Sequence, residues 1–187
     1  MARRKPLRGG VVVNQLRLVN DTVVNVAQFL MEPVGAARVI DIHLDQLPLD
    51  HDLTARDVDA HVRLTRIETG ILAMGNASGI AELECVRCLT RFDTAFENTF
   101  DAEFRPSIEV RTGEPLLLPE DSEIFVIDNN HLLDLSELLR QVIIVALPIR
   151  PVCGPECPGF QREFGAEEET TEEWAAVLRH LLEEGTE

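Results

Sequence analysis

Along much of this chain hydrophobic and polar residues alternate one by one, the period of a strand with one face on a core and the other in water. The clearest case is residues 92–104, where Phe92, Phe96, Phe100 and Phe104 share one face and Asp93, Glu97, Asp101 and Glu103 the other. Residues 58–64 repeat the pattern, with Val58, Ala60, Val62 and Leu64 opposite Asp59, His61 and Arg63. Glu68-Thr-Gly70 supplies a turn, residues 71–74 start a return strand, and residues 79–85 make a third, with Ala81, Leu83 and Cys85 on its apolar face. Further strands are expected at 10–18, 37–44 and 125–127, while residues 47–54, polar and interrupted by proline, look like a connection.

Helical spacing occurs in three places. Asn20 and Asp21 offer caps for a short helix through Val26, Phe29 and Leu30, ended by Glu32-Pro33. Asp134, with Glu137 in the capping-box position, opens a helix whose Leu135, Leu138, Leu139, Val142 and Ala146 form one stripe, stopped by Pro148 and Pro151. A second capping box, Thr170 to Glu173, precedes a narrow stripe of Trp174, Val177, Leu178, Leu181 and Leu182. Residues 106–122 form a long connection rich in Pro, Gly and Glu. The fold class expected is α+β: a curved, mainly antiparallel sheet bending toward a barrel, a helix packed on it, and an appended C-terminal helix. The 187 residues divide into one domain, 1–160, and an acidic tail, 161–187.

Charge narrows the function. Lys and Arg number 17 against 33 Asp and Glu, a net charge of −16. Such a surface repels phosphate backbones and gains little from counterion release, so the isolated chain is a poor general nucleic-acid binder. Local basic patches exist at Arg3, Arg4, Lys5 and Arg8, and at Arg87 and Arg91. The plain alternative is that the charge only confers solubility. A phenylalanine stripe can stack bases, but no basic residue is interleaved with this one, so it reads as core. No apolar run reaches ~18 residues, and the basic start lacks the apolar stretch of a signal peptide, so a cytoplasmic chain with no membrane partner is expected.

The four cysteines form two pairs, Cys85/Cys88 and Cys153/Cys157. The first falls between two strands, where a tight turn aims two thiolates at one metal; the second contains its own turn residues, Gly154 and Pro155. Together they supply the ligand count of a closed structural zinc site, provided the fold brings the distant pairs together. Unligated thiols and a redox or disulfide pair are the other readings. Catalytic signatures are poor: the five histidines are scattered, no phosphate loop or Gly-x-Gly-x-x-Gly is present, and no small-molecule substrate is implied.

Three blocks in order carry a family resemblance. Leu83-Glu-Cys-Val-Arg-Cys-Leu89 with Phe92 resembles the signature of the YceD-like family of large ribosomal RNA subunit accumulation proteins, known from bacteria and plastids. Leu133-Asp-Leu-Ser-Glu-Leu-Leu-Arg140, then Ala146-Leu-Pro-Ile-Arg-Pro-Val-Cys153, resembles its helix and the stretch after it; Val26-Ala-Gln-Phe-Leu30 with Glu32-Pro-Val-Gly35 resembles its N-terminal segment. The likeness runs from about residue 14 to 160 and leaves the tail outside. It implies a ribosome-biogenesis factor supporting accumulation or processing of 23S ribosomal RNA, and brings no catalytic residues. Arg91 stands where many relatives have proline, and Pro158-Gly-Phe-Gln161 replaces a continuation that often carries more cysteines. The expected partner is the large-subunit RNA precursor or a basic large-subunit ribosomal protein for which the chain acts as chaperone. Arg87, Arg91, Trp174, Leu178 and Leu181 are the candidate partner-binding residues. A thiol-disulfide or metal-dependent enzyme is the alternative from another class.

Overall fold

Four long strands, each alternating between apolar and polar residues, dominate the molecule. The computed structural model describes residues 16, 19–118 and 124–159. The strand expected at 10–18 and the helix expected after residue 170 lie outside them.

The main sheet has the order β2 (Ala37–Asp50), β3 (Leu53–Ile67), β4 (Gly70–Glu84), β5 (Arg91–Pro106) and β6 (Phe125–Ile127). The first four strands are successive antiparallel hairpins, and β6 joins β5 in parallel. A separate ribbon pairs β1 (Val23–Asn25) with β7 (Leu132–Asp134), and the helices are α1 (Ala27–Leu30) and α2 (Ser136–Ala146). The mainly antiparallel α+β expectation is correct, and the curled sheet forms a half-barrel.

Alternation assigns the faces. Val58, Ala60, Val62 and Leu64 are buried on the concave side, and Asp59, His61 and Arg63 face outward. Phe96, Phe100 and Phe104 are buried on the same side, with Phe92 partly so, which makes the stripe core and not a base-stacking platform. Phe104 stacks on Phe125 with ring centroids 5.0 Å apart. The α2 helix lies in the hollow and buries Leu138, Leu139 and Ile143. Asn98 Nδ2 donates to the Val142 carbonyl at 3.2 Å, and Arg140 Nη1 donates to the Leu49 carbonyl at 3.1 Å, so the helix bridges from β5 to the edge strand β2.

Several boundaries differ from expectation. Residues 71–74 and 79–85 do not form two strands: β4 runs unbroken through both. Gly75 and Gly79 sit inside it because Phe100 and Phe96 stand directly opposite and lay their rings over them. A Cβ at Gly75 would lie 2.2 Å from the His61 carbonyl oxygen and 3.1 Å from the Phe100 ring, so only glycine fits. Residues 47–50 belong to β2, where an edge position beside a register shift tolerates Pro48. The first helix begins later than expected, because Asn20 Oδ1 accepts from the backbone N–H groups of Thr22 and Val23 and turns the chain into β1. The capping box on α2 is not formed. Asp134 lies in β7 and accepts from the Ser136 N–H, while Glu137 reaches forward to Arg140 and Gln141.

Candidate metal centre

The strand β4 ends at Glu84 and β5 starts at Arg91, leaving six residues to reverse the chain. The Cys85 N–H donates to the Thr90 carbonyl, and the Leu89 N–H donates to the Cys85 carbonyl at 2.9 Å, closing a tight knuckle. Its last step needs a left-handed residue, and Leu89 fills it at φ 59°. This folding points the Cys85 and Cys88 side chains the same way.

The second pair arrives from the far end of α2. Leu147 takes an extended conformation before Pro148, so the chain leaves the helix and runs back toward the hairpin. The Val86 N–H donates to the Pro151 carbonyl at 3.0 Å, which docks this segment on the knuckle. A second turn, with the Cys157 N–H donating to the Gly154 carbonyl, presents Cys153 and Cys157. The fold therefore brings together two pairs that are distant in sequence.

All four Sγ atoms lie within 4.8 Å of one another. Cys85 and Cys157 are 3.6 Å apart, as are Cys88 and Cys153. Four sulfurs held at ~2.3 Å from one zinc ion would be about 3.8 Å apart along the edges of a tetrahedron, close to this spacing. A disulfide requires ~2.05 Å, and all four thiols are free. The donor set and its geometry are those that can hold a metal ion.

Electrostatics around the sulfurs agree. Burial works to raise the Cys85 thiol, but the backbone N–H groups of Cys153, Cys88 and Arg87 outweigh it and bring it down to about 6. The side chain and backbone of Thr90 lower Cys88. Cys153 moves the other way, up to about 12, because it is hydrogen-bonded to the sulfurs of Cys157 and Cys88 and gains nothing from a further negative charge. The sulfurs are thus pulled in opposite directions, and a cation held among them would favour the thiolate form of all four.

Of the candidate partner-binding residues, Arg87 lies exposed on the knuckle, and Arg91, also exposed, pairs with Glu82 at 3.3 Å. Trp174, Leu178 and Leu181 fall outside the described residues. Thr90, whose side chain and backbone lower Cys88, carries no sequence signal for that role, and Pro151, legible as a helix stop, docks the second pair through its backbone carbonyl, which no side-chain pattern reveals. No helix among the described residues is long and apolar enough to cross a membrane.

The chain is 29% identical over 112 residues to uncharacterised proteins of Mycobacterium tuberculosis and Mycobacterium bovis, covering 58% of this chain and 50% of each relative. An uncharacterised protein of Mycobacterium leprae is 25% identical over 108 residues, covering 58% of this chain and 48% of the relative. The chain spans about half the length of the curated relatives it matches. No solved structure matches it. The family model of the large ribosomal RNA subunit accumulation protein YceD matches residues 73–182. That span holds all four cysteines, begins after the N-terminal segment and reaches into the tail as far as residue 182. By a match over more than half its length, the chain belongs to the YceD family of large ribosomal RNA subunit accumulation proteins.

Proposed function

We propose that this chain is a binding factor, not an enzyme, that supports accumulation of large-subunit ribosomal RNA and carries a structural zinc ion on Cys85, Cys88, Cys153 and Cys157. The convergence of four thiols at tetrahedral spacing is the observation that carries the metal. Four protein ligands close the coordination sphere and leave no open position for substrate, which favours a tie between the β4–β5 hairpin and the segment after α2 over a catalytic metal.

The direct partner in this proposal is a basic large-subunit ribosomal protein, through which the chain serves the RNA. The outward face of the sheet supports it: Asp41, Asp59 and Asp93 stand exposed there paired with His61, His43 and Arg56, while Glu97 and Asp101 stand exposed on β5 with no ion-pair partner among the described residues. A field of that sign speeds encounter with a basic chain and slows encounter with naked RNA. Trp174, Leu178 and Leu181 of the tail are the proposed contacts to that protein, and the basic Arg87 and Arg91 are the proposed contacts toward the RNA it serves. The test is affinity purification of the full chain from cytoplasm, followed by identification of bound RNA and ribosomal proteins across a salt series. Recovery of basic large-subunit proteins, lost as salt rises, is expected. Tight retention of naked large-subunit RNA at physiological salt, with basic ribosomal proteins ignored, sinks the proposal.

A further inference from the structure

The apolar stripe of α2 does not stop where the sheet stops covering it. Val145 lies seven residues beyond the buried Leu138, on the same face of the helix, yet is 79% exposed. Ile149, just past the helix, is 99% exposed, and Val152 is also uncovered. The Val86–Pro151 backbone bond joins this stretch to the knuckle, where Val86 and Leu89 are exposed too. The end of α2, the segment after it and the knuckle they are bonded to thus expose five large apolar side chains beside the cysteine pairs in sequence. Arg87 and Arg150 border them, and neither has an ion-pair partner among the described residues.

We infer that residues 160–187 of the same chain cover this surface. The tail carries what the patch lacks: Trp174, Val177, Leu178, Leu181 and Leu182 at helical spacing, and nine acids against two bases to meet the arginines. It starts in the right place, because the described residues end at Gly159, where a Cβ would lie 3.8 Å from Arg87 Nη2. Residues 160–169 can reach about 33 Å at ~3.3 Å each, ample for a helix from residue 170 onward to turn back over the knuckle. The family match also continues through the tail as far as residue 182, so the tail belongs to the unit that contains the cysteines. A nucleic acid suits the surface less well, since two arginines among five apolar side chains give a phosphate backbone little to bind. Arg87 and the tail residues proposed above as partner contacts then meet each other in the free protein, and a partner competes with the tail for this surface. This regulation goes beyond the ribosomal reading and does not require it.

The chain's single tryptophan, Trp174, reports the state of the tail directly. In the full metal-loaded chain its emission should be blue-shifted and protected from acrylamide. Ile149→Asp combined with Val145→Asp alters two solvent-exposed positions, so circular dichroism and melting should be unchanged while Trp174 emission moves to the red and loses protection. Arg87→Glu combined with Arg150→Glu should shift it in the same direction. An exposed tryptophan in the unmutated chain overturns the inference, as does a protected one that ignores Ile149→Asp and Val145→Asp. Protection that disappears on dilution overturns it in favour of a second copy on this surface. None of these readings depends on the ribosomal partner, so the two proposals fail separately.

Discussion

Gly75 faces Phe100 across β4 and β5, and Gly79 faces Phe96, so two glycines that weaken a strand are each covered by a ring from the next. The phenylalanine spacing is readable in the sequence because all four residues lie in one strand. Their glycine partners are not, since the pairing depends on a register that only the folded hairpin sets, and glycines at 75 and 79 suggest a break when the strand is read alone. Phe100→Ala should destabilise the protein by roughly 3–5 kcal/mol, read from denaturant unfolding, through the cavity it leaves. Gly75→Ala should also destabilise it, by about 1–3 kcal/mol, because the added methyl meets the His61 carbonyl and the ring. A Phe100→Ala protein with unchanged stability but lost RNA binding would return the stripe to a stacking role. Glu137 makes a pH prediction. Hydrogen bonds from Arg140 and then Gln141 hold its carboxyl down at about 2, below the ordinary 4.5. A depressed acid contributes stability that is fully present above its unfolded value and lost as pH falls from about 4.5 through 2. The pair is largely exposed, so the effect is small. Glu137→Gln should flatten the acid limb of the stability curve in that window, and a carboxyl titration by NMR should place Glu137 well below the ordinary 4.5.

Helix α2 shows what amphipathic spacing can and cannot reveal about an element. Leu135, Leu138 and Leu139 are buried as their spacing requires, whereas Val142 and Ala146 are only partly covered and Ile143 takes the deeper place. The stripe fixes a face, but where the helix overhangs its sheet depends on packing distant in sequence. The cysteine pairs behave similarly. Each turn is visible locally, the first in its Cys-x-x-Cys spacing and the second also in Gly154 and Pro155, and the meeting of the two is a property of the whole chain. Purified protein handled without chelator should hold about one zinc per chain by elemental analysis. Cys153→Ser, or a strong chelator, should lower the melting temperature and expose residues 148–159 to protease, because the tie to the hairpin is lost. Metal-free protein with four freely titrating thiols and the same melting temperature is the result that removes zinc from the account.

At the scale of the whole chain acids outnumber bases, 33 to 17, and the sequence of residues 160–187 holds nine acids to two bases, while Arg87 and Arg150 lie beside the cysteine pairs in sequence. Binding to a basic large-subunit protein should weaken with rising salt and with deletion of residues 170–187, which removes acids that attract the partner. Ile149→Asp with Val145→Asp, which frees the tail without removing it, should tighten the same binding, and a titration comparing the three proteins separates attraction from release. The arrangement of the cysteines also has a temporal consequence. Cys88 and Cys153 are 65 positions apart, and Cys85 and Cys157 are 72 apart. During synthesis the hairpin pair leaves the ribosome long before its complement, and the intervening chain includes β5, β6, β7 and all of α2. An ion that needs all four sulfurs is captured only after the sheet has curled and the helix has settled into it, when the entropy of closing so long a loop has already been met by other contacts. Under the zinc proposal, metal uptake would come late in the protein's own assembly, and an ion-loaded chain would be one whose sheet and α2 have already come together.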